Sequence, residues 1–180
     1  MYQSERRQLH KYANEYLVES GSYLGDGVQD GIDCGFKNII SFEIVPDLHQ
    51  HCLNRFQNKY GLNLVLGSSA KKLYEHIKDI NKPITFWLDG HYSSGITGYD
   101  SDYICPLLQE LEQIKAHHIK NHTILIDDRR LFKQSNNNGM DGLFNITEEQ
   151  VIKKLMEINP NYVITYENGH IANDIIVAKI

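Results

Sequence analysis

Five acidic residues stand where chemistry could be done. Glu19, Glu43, Asp89, Asp127 and Asp128 each close a short apolar, β-prone run. In open parallel sheets, ligands sit outside the carboxyl ends of the strands, so all five are expected on one rim. Carboxylates gathered on one rim repel one another unless a cation lies between them. Hard oxygen donors with open positions suit Mg²⁺, Ca²⁺ or Mn²⁺. His91 follows Asp89 by two residues and adds a group that titrates near neutral pH. Asp127 and Asp128 also have a simpler use, since strand-end aspartates often cap loop and helix N–H groups.

The first of these runs, Tyr16 to Ser20, passes straight into Gly21-Ser22-Tyr23-Leu24-Gly25-Asp26-Gly27. An amphipathic stretch follows, with Val28, Ile32 and Cys34 on its apolar side. The order is strand, tight turn, helix. Glycines there permit positive φ and close approach of a ligand. The helix behind them offers unpaired N–H groups and the positive end of its dipole. A dinucleotide fingerprint needs G-x-G-x-x-G. After Gly25-x-Gly27, however, Asp30 stands in the third position and Gly31 comes one place late. A plain strand–helix turn with no ligand is the alternative.

The pattern E-x-G-x-x-x-G-x-G from Glu19 to Gly27 resembles the first motif of class I S-adenosylmethionine-dependent methyltransferases. There the turn wraps the methionine part and ribose of the cofactor. The resemblance implies a cofactor site of Glu19, Gly21, Ser22, Gly25, Gly27, Glu43, Ser68, Ser69 and Asp89. Glu43 lies about 20 residues past the first glycines, the register in which an acidic residue accepts ribose hydroxyls. Ser68 stands where the family usually has an Asp near the adenine amino group. A hydroxyl can accept that hydrogen bond, without charge assistance.

The ends of the fourth and fifth runs look like those of the metal-dependent small-molecule O-methyltransferases of the catechol and macrocin types. That likeness implies a divalent ion, Mg²⁺ foremost, held by Asp89, Asp127 and Asp128. The metal would lower the pKa of an acceptor hydroxyl. Asp89 and His91 are then the catalytic candidates. His91 serves as the base, with metal ligation or loop anchoring as its alternatives. The acceptor is expected to be a small hydroxylated molecule such as a sugar or nucleotide sugar. Two other readings remain: a metal-independent methyltransferase acting on nitrogen or on a protein, and a non-catalytic cofactor-binding or interaction module.

The elements that must position these residues alternate regularly. Runs at Lys37–Glu43, Leu62–Leu66, Ile84–Leu88 and Thr123–Ile126 read as strands. Helices are expected at Gln3–Asn14, Pro46–Tyr60 and Ala70–Ile80. Another should start near Pro106 with a stripe of Leu107, Leu108, Leu111 and Ile114. Thr147 with Gln150 marks a capping-box start for a helix running to Ile158. Asn161–Tyr166 and Asp174–Lys179 read as a hairpin about Asn168-Gly169. The expected fold class is α/β, a Rossmann-like doubly wound sheet, mostly parallel, spanning residues 1–180 as one domain. The resemblance adds seven strands in the order 3-2-1-4-5-7-6, strand 7 antiparallel, with helices on both faces. Stretches 90–103 and 133–145 lack apolar periodicity and follow strands at the rim, as lids do.

Composition is that of an ordinary globular chain: 180 residues, 41% hydrophobic and 23% charged. The net charge of -5 argues against nucleic acid as the main partner. Arg129-Arg130 could hold an anionic group, or pair with the nearby Asp residues. Cys34, Cys52 and Cys105 form no C-x-x-C pair, so neither zinc nor a disulfide framework is indicated. Ser4 to Lys11 is polar, without a signal-peptide pattern, and no apolar run reaches membrane-spanning length. A cytoplasmic protein is expected. So short a chain could complete its acceptor pocket as a homodimer.

Overall fold

The computed structural model describes residues 8–57, 59–133 and 145–180. Seven strands form one sheet: β1 (Tyr16–Ser20), β2 (Asn38–Glu43), β3 (Leu62–Leu66), β4 (Thr85–Leu88), β5 (Thr123–Ile126), β6 (Val163–Glu167) and β7 (Ile175–Lys179). Their order is β3-β2-β1-β4-β5-β7-β6. The first five are parallel, and β7 runs antiparallel to both β5 and β6. Among the described residues five α-helices flank the sheet: α1 (Asp26–Asp33), α2 (Pro46–Arg55), α3 (Ser69–Ile77), α4 (Leu107–Ala116) and α5 (Glu148–Ile158).

The strands are short apolar runs because both faces of the sheet are covered. Side chains alternate between the two faces. Val18, Ile40, Phe86, Ile124 and Ile176 join one core, under Leu73 and Ile77 of α3, Leu111 and Ile114 of α4, and Val151 and Leu155 of α5. Their neighbours Leu17, Ile39, Trp87, Leu125 and Val177 join the other, with Leu9 and Phe36. Val28 of α1 packs on Cys52 and Phe56 at α2. The capping box at α5 forms as its sequence implies: Thr147 Oγ1 accepts from Gln150 N, and Gln150 Oε1 accepts from Thr147 N.

Several expected bounds shift for local reasons. Helix α2 ends at Arg55 rather than Tyr60. Gly61 then turns at φ +76° past Lys37, so close that an added Cβ would lie 2.0 Å from its carbonyl oxygen. Leu53 of α2 is exposed, while Leu48 and Cys52 are buried. The β6–β7 connection is not a two-residue Asn168-Gly169 turn but runs from Asn168 to Asp174. Asp174 anchors it, accepting backbone N–H bonds from Arg130 and His170. Of the leading helix only a 3-10 turn, Leu9–Tyr12, falls among the described residues, and most of the 133–145 stretch lies outside them. Among the described residues no helix is long and apolar enough to cross a membrane.

Far from the rim, His117 and His122 are both buried. His117 Nδ1 and His122 Nε2 are 2.9 Å apart, and His122 Nδ1 accepts from Ile84 N. Burial, then the neighbouring His117, presses the His122 pKa down to about 3. The pair therefore belongs to the neutral core.

Candidate functional site

The carboxyl ends of the parallel strands open into a cleft of about 670 Å³, within the range of small-molecule sites. The Gly-rich turn after β1 forms one wall. Gly21 N and Ser22 N both donate to Phe42 O at the end of β2, at 2.9 and 3.0 Å. Gly21 holds φ +83°, and a Cβ there would stand 2.6 Å from the Asp89 carbonyl oxygen. Glycine is thus what lets the turns after β1 and β4 meet.

Glu43 lines the cleft from the end of β2. Its Oε2 accepts from Tyr23 N and its Oε1 from Val45 N, both at 2.8 Å. A carboxylate has about four lone-pair sites, so two fixed backbone donors orient it and leave room for two hydroxyls. If Glu43 takes the ribose, Glu43→Ala weakens the cofactor by roughly 1–3 kcal/mol, about five- to 150-fold. Titration calorimetry with the demethylated cofactor checks this, and unchanged affinity in a folded variant refutes the role.

Glu19, Gly25 and Gly27 do not line the cleft; they support it from behind. Buried Glu19 accepts from Ser41 Oγ at 2.5 Å, and Ser41 Oγ lies 2.5 Å from Ser22 Oγ. This chain of hydroxyls points the Ser22 side chain inward, although Ser22 still borders the cleft. Gly25 holds φ +88° under the Phe56 ring, where a Cβ would come within 2.5 Å. Gly27 is buried in the first turn of α1. That helix start carries its own carboxylate, Asp26, paired with Arg55 at 2.7 Å, so the chain itself already supplies an anion there.

Ser68 and Ser69 line the cleft beyond β3. The Ser68 side chain hydrogen-bonds Asp100, which Lys71 also holds at 2.9 Å. Lys71 first, then the Asp102 backbone and Ser68, keeps the Asp100 carboxyl below its usual pKa. A carboxylate of the 90–103 loop thus stands beside Ser68 and lines the cleft. That loop is ordered by turns: Thr97 bonds Ser94 and Ser93, and Tyr103 N donates to Asp100 O. Gly98 packs on Ile44 and Val45, and Tyr92 meets Tyr99 edge-on. Ser93 to Asp100 roof the cleft.

At the other end Asp89 and His91 follow β4. His91 Nδ1 is 3.4 Å from Asp89 Oδ1, and Nε2 is 3.1 Å from Asp128 Oδ2. Burial alone would depress the His91 pKa. The hydrogen bond to Asp128 and the charges of Asp89, Asp128 and Asp127 outweigh it and raise the value. Asp128 is pushed the other way. Desolvation opposes its charge, yet His91 and Arg130 hold its pKa below the usual carboxylate value.

The expected metal set of Asp89, Asp127 and Asp128 does not assemble as a set. Among the described residues, the acidic and histidine groups within 4.8 Å of one another are Asp89–His91–Asp128 and Asp127–Asp128–Asp174. Neither contains both Asp89 and Asp127. Consecutive residues past β5 face different ways. Buried Asp127 accepts from Asp128 N, while Asp128 sits at φ +59° and lines the cleft. Arg130 Nη1 contacts Asp128 Oδ1 at 2.5 Å and also reaches Asp174 Oδ2. Both oxygens of Asp128 are thus engaged, by His91 and Arg130, and the charge a cation would neutralise is already balanced. These residues do not fit the Mg²⁺ site in this arrangement. Of the Arg pair, Arg129 takes Glu148 at 2.8 Å, so both arginines serve acidic partners. His170 and Arg130 also line the cleft.

No protein-family model matches the sequence, and no curated protein is significantly similar to it. Solved structures do share its fold. The SAH-bound Podospora anserina methyltransferase PaMTH1 superposes with a TM-score of 0.60 at 13% identity, over 96% of this chain and 74% of that one. Aeropyrum pernix fibrillarin with natively bound S-adenosyl-L-methionine gives 0.59 at 11%, over 92% and 66%. The glycopeptide N-methyltransferase MtfA gives 0.58 at 11%, over 99% and 94%. The fold is that of class I S-adenosylmethionine-dependent methyltransferases. Identities this low carry the fold and not the acceptor.

Proposed function

We propose that this chain is an S-adenosylmethionine-dependent methyltransferase that methylates a hydroxyl of a small polar acceptor without a metal ion. The observation that carries the reading is the division of one cleft. Gly21 and Glu43 border one part, and the buried His91–Asp128 pair faces the other. The cofactor, when bound, supplies an already electrophilic methyl group. Glu43 receives the ribose, and Ser68, Ser69 and Asp100 surround the adenine. Asp128 holds Nε2–H of His91 and fixes the ring. An acceptor hydroxyl entering beside Nδ1 replaces Asp89 as its neighbour, and His91 takes its proton. The roof of Ser93 to Asp100 keeps water from the reacting atoms. The acidic overall charge favours a small molecule over nucleic acid as partner, and a cytoplasmic setting belongs to the same reading.

A metal-dependent form of the reaction has one observation in its favour, the closeness of Asp89, His91 and Asp128. It requires Arg130 and His91 to release Asp128 first. Incubation with methyl-labelled cofactor and a panel of sugars, nucleotide sugars and catechols separates the two. Equal transfer in EDTA and in Mg²⁺ is expected. Transfer that appears only with Mg²⁺ overturns the metal-free mechanism.

A further inference from the structure

Glu110 of α4 is a carboxyl group with almost no access to water, only 1% exposed. Helix α4 packs against α3 under the cleft, and an apolar residue there would avoid the cost of burying a charge. Burial pushes the Glu110 pKa up, while hydrogen bonds from Ser69 and Ser20, and then the charge of His91, pull it down. Ser69 lines the cleft, and Ser20 lies fully buried behind its wall. Ser69 Oγ donates to Glu110 Oε1 at 2.5 Å, and Ser69 opens α3 at the cleft wall. Ser20 ends β1, and its Oγ also accepts from Asp89 N at 3.2 Å. Gly90, next to Asp89, packs so tightly here that a Cβ would stand 3.0 Å from Ser20 Oγ.

One turn further along α4, Gln113 grips the same helix. Its Nε2 donates to Ser69 O and Ala70 O, and its Oε1 accepts from Tyr74 N, all at 2.8 Å. The first turn of α3 is therefore held by side chains of α4 as well as by its own backbone ladder.

We propose that Glu110 is a positioning residue. Its buried carboxyl ties Ser69, on the α3 side of the cleft, to Ser20 and the Asp89 backbone at the transfer end, and holds the cleft in shape before any ligand enters. Only its consequence for affinity rests on the cofactor reading above. The carboxyl accepts two hydroxyl protons. A glutamine of the same shape accepts one and brings two donors of its own, so one hydroxyl is left without an acceptor. Glu110→Gln thus loosens the tie without opening a cavity.

Amide hydrogen exchange of the ligand-free protein tests this first. In Glu110→Gln, exchange should quicken about tenfold at Ser69–Leu73 and at Asp89–Gly90 together. The melting temperature should hold, since the substitution opens no cavity and burial already disfavours the charged carboxyl. Affinity for the demethylated cofactor should fall about five- to tenfold. A merely structural glutamate would lower the melting temperature and leave those two segments no different from the rest of the protein. Exchange unchanged at both segments, or undiminished affinity, overturns the proposal. If the parent protein binds no cofactor yet both segments respond, the tie stands and the cofactor assignment fails. Should Glu110→Gln not fold, Glu110→Asp, which keeps the acid but shortens its reach, carries the same expectations for exchange and affinity.

Discussion

Gly21→Val is expected to abolish cofactor binding and to destabilise the protein by about 2–5 kcal/mol, combining left-handed backbone strain with overpacking. The position holds φ +83°, which a β-branched residue scarcely adopts. The added Cβ would also meet the carbonyl oxygen of Asp89 at 2.6 Å and the Cα of Gly90 at 3.2 Å. These are backbone atoms just past β4, where Asp89 N donates to Ser20 O, so they cannot turn aside as a side chain would. The turn must lift off the end of β4, and the wall between Glu43 and Asp89 deforms. Thermal denaturation reads the first effect and calorimetry the second. A variant that melts and binds like the parent removes the Gly-rich turn from the site.

His91→Asn is expected to lower the turnover number by about 10²–10⁴, the usual share of general base catalysis. Cofactor affinity should change little, because Gly21, Glu43 and Ser69 are untouched. The pH profile carries an independent signature. Asp128 and the surrounding carboxylates raise the His91 pKa above its ordinary 6.5. Below that raised value the ring is protonated and cannot accept a proton, so transfer in the parent should climb with pH through a midpoint above 6.5 and then level off. Asp128→Asn weakens the charge that raises the pKa and should move the midpoint down. Turnover that survives His91→Asn, or a profile flat from pH 6 to 9, contradicts the base assignment.

These residues were legible in the sequence for a local reason. Apolar runs such as Leu62–Leu66 and Thr123–Ile126 read as buried strands, and both form with those bounds. A residue just past a strand end inherits its place from the strand, so Glu43, Asp89, His91 and Asp128 could be set on one rim. What needed three dimensions was how the charges pair. Asp128 and Arg130 are neighbours in sequence, yet the Arg130 guanidinium reaches Asp174 across 44 positions. No spacing rule signals that triad. Asp127 was read with Asp128 as one ligand pair, but adjacent residues leaving a strand point apart, and backbone capping claims Asp127. Asp100 reaches Ser68 only because the 90–103 loop folds back over α3. Glu110 lay within the apolar stripe of α4, between Leu107 and Leu111, and its polarity there was the one available signal. A charged residue on a helix's buried face needs a partner, and the two serines meet that need.

The central claim is that this cleft binds S-adenosylmethionine through its own residues and without a metal. Calorimetric titration of the parent protein with the demethylated cofactor, in EDTA and again in Mg²⁺, tests it most directly. One site per chain with the same dissociation constant in both buffers is the predicted result. No detectable binding in either buffer, or binding that requires Mg²⁺, would contradict it.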